Sequence, residues 1–242
     1  MDKKKIVHQL DTPYSTAKWP EIALDDQDTV LELLCTLLSP IGEHRAQHVQ
    51  RSKGKRDTKR KRTEKSPGTI KAPSPPPAPE LLSHIDVGLV AVTRRLQNLS
   101  KDTRADPPKI QLLATGEDKA VQRPCAAVFV ARASQPSILN SHLPQLIAVA
   151  SQALPDEEPI RLFGISKSCE ARLSDALGIP RVSCIAMDAD APGAKTILSF
   201  VRERVPPVTL EWLAVARSGE YQTTNIKHVA TTIGARKQVA KT

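Results

Sequence analysis

The sequence predicts an α/β protein: a three-layer α/β/α sandwich, preceded by an N-terminal helix and a long disordered basic linker. Three observations carry this. The short, continuously apolar run CAAVFVA (Cys125–Ala131) has the pattern of a strand covered on both faces, and the mostly apolar IRLFGI (160–165) and VSCIAM (182–187) read as second and third buried strands. They alternate with segments whose apolar residues recur at helical spacing, which places helices on both sides of a sheet. Between Val49 and Leu81 the only large apolar side chain is Ile70, too little burial to offset the ordering entropy of about thirty residues. The chain accordingly divides into an N-terminal arm and amphipathic helix (1–44), a disordered basic and Pro-rich linker (45–79), the sandwich (80–215) and a basic C-terminal arm (216–242).

The elements follow in order. Val30, Leu33, Leu34, Leu37 and Leu38 form one helical stripe, opened by Asp25, Asp26 and Asp28 and stopped by Pro40 with Gly42; it must dock on the later domain or on a partner. Residues 85–88 read as a short strand or turn, and Leu89, Val92, Leu96 and Leu99 line the next helix. A polar stretch over 100–124 reads as a surface insertion. After the 125–131 strand, a helix from near Ser134 and Pro136 buries Ile138, Leu139, Leu143, Leu146 and Ile147, kinked at Pro144. After the 160–165 strand, Ser168 is the expected N-cap of a helix that Gly178 and Pro180 end. After the 182–187 strand, Asp190 and Pro192 open a helix burying Ile197, Leu198 and Val201, and 208–215 adds a final strand.

Charge is concentrated. Residues 45–71 carry eleven basic side chains against Asp57 and Glu64, which equals the whole net charge of +9. Lys55, Arg56, Lys59, Arg60, Lys61 and Arg62 are the densest part, and prolines from Pro67 to Pro79 extend the chain behind them. Such a row suits phosphate backbones, because neutralising phosphates releases condensed counterions without a fixed fold. KGKRDTKRKR also suits nuclear import. Ser66 and Ser74 each precede a proline and offer phosphorylation sites that would offset the tract.

Other classes find little support. No apolar run approaches the roughly 18 to 20 residues that cross a bilayer, and the amino-terminal residues have no signal-like apolar stretch, so membrane insertion and secretion are not expected. Cys35, Cys125, Cys169 and Cys184 are widely spaced among apolar neighbours and read as buried reduced thiols. There is no GxGxxG and no GxxxxGK[ST]. Gly164 reads as a gap for close packing. His44 and His48 lack a third ligand at typical spacing, His142 lacks an orienting acid or a nucleophile, and Asp188 with Asp190 reads as a cap and turn. We expect no catalytic residues, no metal and no cofactor.

A resemblance adds to this. The segment KKKIVHQLDTPYSTAKWPEI and the helix after it, AAVFVA followed by LNSHLPQLIAVAS, SKSCEARLSDALGIP, and EWLAVARSGEYQTTNIKHVATTIGARKQ together resemble the fungal ribonuclease P/MRP protein subunit numbered third among the Pop proteins. The core is similar to the kink-turn-binding ribosomal protein type. The resemblance implies a nuclear, in part nucleolar, non-catalytic subunit whose partners are the catalytic RNA and other protein subunits of the same particles, acting in tRNA 5′ maturation and rRNA processing. Kink-turn proteins read RNA from a Gly-x-Asn-Glu-x-Thr-Lys/Arg run, and here Gly88, Thr93 and Arg94 match. Val90 and Ala91 replace the Asn and Glu, so contact with phosphates rather than bases is expected. A second, apolar RNA-contacting loop would fall after Met187, where the sequence is the acidic DADAPG. Arg95, Lys227, Arg236 and Lys237 complete the expected phosphate contacts. The alternatives are a nuclear protein-interaction module without RNA readout, or a small-molecule enzyme on an α/β sandwich.

Overall fold

The computed structural model describes residues 4–12, 14–15, 17–49, 76–101, 123–153, 158–219 and 223–232. They divide into two compact units, one within Lys18–Val208 and one formed from Met1–Ala17 with Thr209–Thr242.

The larger unit is built on a four-stranded mixed sheet of β2 (Ile85–Val87), β3 (Cys125–Ala131), β4 (Arg161–Ile165) and β5 (Cys184–Asp188), in the order β2-β5-β3-β4. β2, β3 and β4 run in one direction, with β3 and β4 as the parallel neighbours, and β5 is antiparallel to both β3 and β2. All residues of β3 and β5 are buried: β3 is a continuous apolar run, and β5 is apolar up to the buried acid Asp188. Alternate side chains supply two cores. Ala127, Phe129, Ala131, Phe163, Ile165, Ile185 and Met187 join one cluster with helices α1 (Leu24–His48), α5 (Glu170–Leu177) and α6 (Lys195–Arg204). Val128, Val130, Leu162, Cys184 and Ala186 are buried outside that cluster. The opposite layer is α2 (Leu89–Lys101), packed on α4 (Leu143–Ala153). Three layers result, with helices on both faces of the sheet.

Helix α1 runs through Pro40 and Gly42, where the sequence placed its end, and finishes at His48. An interior proline costs a helix about 3 kcal/mol, and burying one large aliphatic side chain returns roughly 1.5 to 3. Fully buried Ile41 supplies that return, and Arg45 adds a hydrogen bond from Nη1 to Leu177 O, 3.2 Å, at the end of α5. Gly42 permits the helices to touch: a Cβ there would lie 2.4 Å from Ala176 O. The stripe thus docks in cis, on α5 and α6.

Four further expectations are corrected. The 134–147 helix is two pieces, a single turn α3 (Ser137–Asn140) and then α4, with Pro144 in the first turn of α4, where its missing N–H costs nothing. Because α3 is so short it projects outward, and Ile138 and Leu139 are 76% and 47% exposed instead of buried. The helix after β5 starts at Lys195 rather than near Asp190. The predicted strand at 208–215 is instead helix α7 (Glu211–Ser218), ended by left-handed Gly219 at φ 76°. A cysteine, Cys169, occupies the N-cap position of α5 in place of Ser168.

In the smaller unit β1 (Lys4–Asp11) pairs antiparallel with β6 (Asn225–Thr232) over the full length of both. Part of the expected C-terminal arm is therefore a paired strand. His8 and His228 face each other with Nδ1 atoms 2.6 Å apart, and Trp212 Nε1 donates to Ser15 O at 3.0 Å.

Candidate nucleic-acid interface

Helix α2 begins at Gly88, whose φ of 101° is open to glycine and strained for other residues. Its N–H donates to Cys184 O at 2.7 Å, and its carbonyl accepts from Val92 N at 3.1 Å, so the start of the helix is fixed on β5. Val92, Leu96 and Leu99 face the core. Positions 90 and 94, one helical turn apart, face solvent: Val90 is 71% exposed and Arg94 is exposed. No acidic side chain lies in the first turn, so the partial positive charge of the helix end is not neutralised locally. Arg94 makes no ion pair among the described residues. Thr93 Oγ1 lies 3.3 Å from His142 Nε2, tying α2 to the turn before α4.

Arg95 points elsewhere. Nη1 donates to Asp86 Oδ2 at 2.9 Å, Nη2 donates to Arg123 O at 2.9 Å, and the same guanidinium is bonded to Asp188. Burial opposes its charge, but Cys125, Asp188 and Asp86 outweigh that and hold its pKa above the ordinary value. Asp188 is 1% exposed, with His84 Nδ1 at 3.4 Å and Arg123 Nη1 at 4.0 Å on its other oxygen. Arg95 was expected on the phosphate-facing side with Arg94; the 100° step between successive helical residues turns it to the sheet instead. Asp188, read as a turn residue, is the centre of this buried cluster. Their partnership spans 93 residues and leaves no local signature.

The loop after Met187 lies away from Gly88. Strands β2 and β5 are antiparallel, with Ile85 opposite Met187 and Val87 opposite Ile185, so the two are at opposite ends of the sheet. The segment beside Gly88 is the one entering β5, where Ser183 O accepts from Ala131 N at 2.9 Å. At the same end, β3 and β4 finish in Arg132 and Ser166. Lys227, on β6, is ion-paired with Asp11. Lys55, Arg56, Lys59, Arg60, Lys61, Arg62, Arg236 and Lys237, together with Ser66, Ser74 and all of the expected 100–124 insertion except its ends (100–101 and 123–124), lie outside the described residues.

Cys125, Cys169 and Cys184 are buried, whereas Cys35, expected to be buried with them, is only partly so. Cys125 and Cys169 are raised to about 11 by burial, and burial raises Cys184 further. Among the described residues, no group of three or more His, Cys, Asp or Glu side chains could hold a metal ion, and no helix is long and apolar enough to cross a membrane. The depression between α1 and α5, lined by Cys35, Thr36, Ser39, Pro40, Asp175 and Ala176, is open to solvent.

No curated protein matches the sequence. The profile of the family described as RNase P subunit Pop3 matches residues 80–215, which span β2 to β5 with their helices and more than half of the chain. The chain therefore belongs to the Pop3 family of ribonuclease P/MRP protein subunits, ribonucleoprotein components of tRNA processing.

Proposed function

We propose that the chain is a non-catalytic subunit that binds and stabilises the catalytic RNA of ribonuclease P and ribonuclease MRP, in tRNA 5′ maturation and rRNA processing, in the nucleus and in part the nucleolus. The observation that carries this reading is the first half of α2: an electropositive helix start with no acidic side chain in its first turn, and Arg94 exposed and without an ion pair among the described residues, inside the region of the family match. Backbone N–H groups at such an end bind phosphate, and Arg94 adds a mobile charge. Neither Val90 nor Ala91 offers a polar group to a base edge, so the contact positions RNA without reading sequence. Thr93 and Gly88 act through geometry, Gly88 by setting the turn and Thr93 by joining α2 to His142. The basic segment 51–65 and the basic residues of the C-terminal end, Lys227, Arg236 and Lys237, supply sequence-independent affinity and, in the former case, an import signal. Chemistry is left to the RNA: the buried acid Asp188 is already occupied by cations of its own chain.

The test is equilibrium binding of the purified chain to the catalytic RNA across a salt series. Arg94→Ala should weaken binding to any RNA about equally and lower the salt slope by about 0.7 to 0.9, one phosphate's worth. RNA-free protein should not cleave precursor tRNA. Absence of RNA binding, with protein subunits still co-purifying, would replace this reading by a protein-interaction module.

A further inference from the structure

At the end of the sheet that carries Gly88, a second basic side chain is held in a fixed pose. Arg132 follows the last residue of β3, and its N–H donates to Ile165 O at 2.9 Å, anchoring its backbone to the end of β4. Its guanidinium carbon lies 4.5 Å from the centroid of the Trp19 ring. Beneath both is Gly164 of β4, where a Cβ would stand 2.7 Å from Arg132 Cδ and 3.1 and 3.2 Å from Trp19 Cε3 and Cζ3. The stack fits because that position has no side chain. The chain around Trp19 is itself tied down, since Gln27, 5% exposed, donates to Ile22 O at 3.0 Å and accepts from Ser166 N at 2.8 Å and Ser166 Oγ at 2.9 Å.

The two partners differ in exposure. Trp19 is half-buried; Arg132 is exposed, and among the described residues its guanidinium makes no ion pair or hydrogen bond. Asp28 is paired with Lys167, and Glu21 makes no ion pair with Arg132 among the described residues. A guanidinium stacked on one face keeps its other face and its N–H edge free. The free face accepts a flat aromatic group, and the edge accepts an anion.

We propose that Arg132, backed by Trp19, is a stacking site for one unpaired nucleotide of RNA, its base on the guanidinium plane and a phosphate on the N–H edge. A paired base has its faces covered by its neighbours in the helix, so the site selects unpaired nucleotides without reading their identity. Sheet strands are about 4.8 Å apart, and one strand separates β2 from β3, so Arg132 and the start of α2 lie roughly 10 Å apart, within reach of one RNA strand. The proposal rests on the RNA-binding reading above and adds to it a site that distinguishes unpaired from paired RNA.

The test uses the full chain labelled with 5-fluorotryptophan. It contains two tryptophans, Trp19 and Trp212, and the Trp212→Phe variant assigns the Trp19 ¹⁹F resonance. A single-stranded RNA hexamer should move that resonance saturably, while the same sequence as a blunt duplex, or free AMP at equal nucleotide concentration, should not. Arg132→Ala should abolish the shift and weaken hexamer binding about tenfold, the scale of one stacked base. Arg132→Lys should keep the salt slope and lose the preference for the single strand. A Trp19 resonance unmoved by a hexamer that binds would overturn the site while leaving the proposed function intact, and this wild-type arm needs no variant to fold. An equal response to duplex would make Arg132 a plain cation contact, and an equal response to AMP would make the ligand a free nucleotide; either overturns the proposal. Loss of binding to both hexamer and catalytic RNA would instead remove the RNA-binding reading on which it rests.

Discussion

Replacing Asp188 by asparagine removes one negative charge from a place where it has no access to water. Asp188 has 2% of its side chain exposed and Arg95 has 15%, so solvent screens their attraction little. In the variant Arg95 keeps Asp86 and Arg123 O, but His84 and Arg123 then surround a neutral amide. Breaking a buried pair by removing one partner costs about 3 to 5 kcal/mol. Since Arg95 retains Asp86, the lower end applies, and Asp188→Asn should lose about 3 kcal/mol, or roughly 6 to 12 °C in Tm for a chain of this size. Asp86→Asn should cost about 1 kcal/mol or less, because Asp86 is 40% exposed. Removing both charges, Arg95→Met with Asp188→Leu, should cost less than Asp188→Asn alone, because no charge is left buried without its partner. Urea titrations followed by circular dichroism measure all three, with a shift in midpoint at constant slope expected. An Asp188→Asn cost below about 1 kcal/mol, or a double variant worse than both single ones combined, would refute the view that this acid holds Arg95 in place.

Gly42→Ala drives a methyl group toward Ala176 O and should lower stability by about 1 to 3 kcal/mol; an unchanged Tm would mean that α1 does not cross α5 there. Burial pushes the thiols of Cys125 and Cys169 up to about 11 in the folded chain, from an ordinary 9.0. Their raised values mean that the stability they confer is complete below about pH 9 and falls as pH rises toward 11, so unfolding midpoints at pH 8 and pH 10.5 should differ. A Cys125→Ala, Cys169→Ala variant with the same alkaline loss would assign the effect elsewhere. Deleting 51–65 should flatten the salt dependence of RNA binding while leaving the cooperative unfolding of the chain unchanged, and an unchanged salt slope would remove this segment from the RNA contact. Val90→Asn with Ala91→Glu should create a preference for a kink-turn over a plain bulged duplex that the natural chain lacks; strong selectivity in the natural chain would contradict phosphate-only contact.

Much of the core was legible because burial on both faces leaves a mark on consecutive residues. The run at 125–131 has no polar side chain beyond a thiol, that at 160–165 has only Arg161, and Val92, Leu96 and Leu99 repeat at the period of a helix with one buried side. Gly178 sits where a helix must turn left-handed, and Gly164 was readable as a gap, although not what would fill it. Local sequence was silent wherever the deciding contact is distant. The strand β6 buries no face, with Ile226 52% exposed, so no hydrophobic pattern marks it; it is a strand because its backbone groups pair with β1 at the far end of the chain. α1 passes Pro40 because α5 offers a surface that buries Ile41 and fits Gly42. Nothing in the order of elements told that β5 lies antiparallel between β2 and β3, and that order decides which loops stand beside Gly88. The same holds for the charges. How many there are and where they cluster along the chain follows from the order of residues. That Arg94 faces solvent, that Arg95 is consumed by Asp188, and that Arg132 is braced on Trp19 emerges from folding, because a guanidinium's role depends on which carboxylates and rings the fold brings within a few ångströms of it.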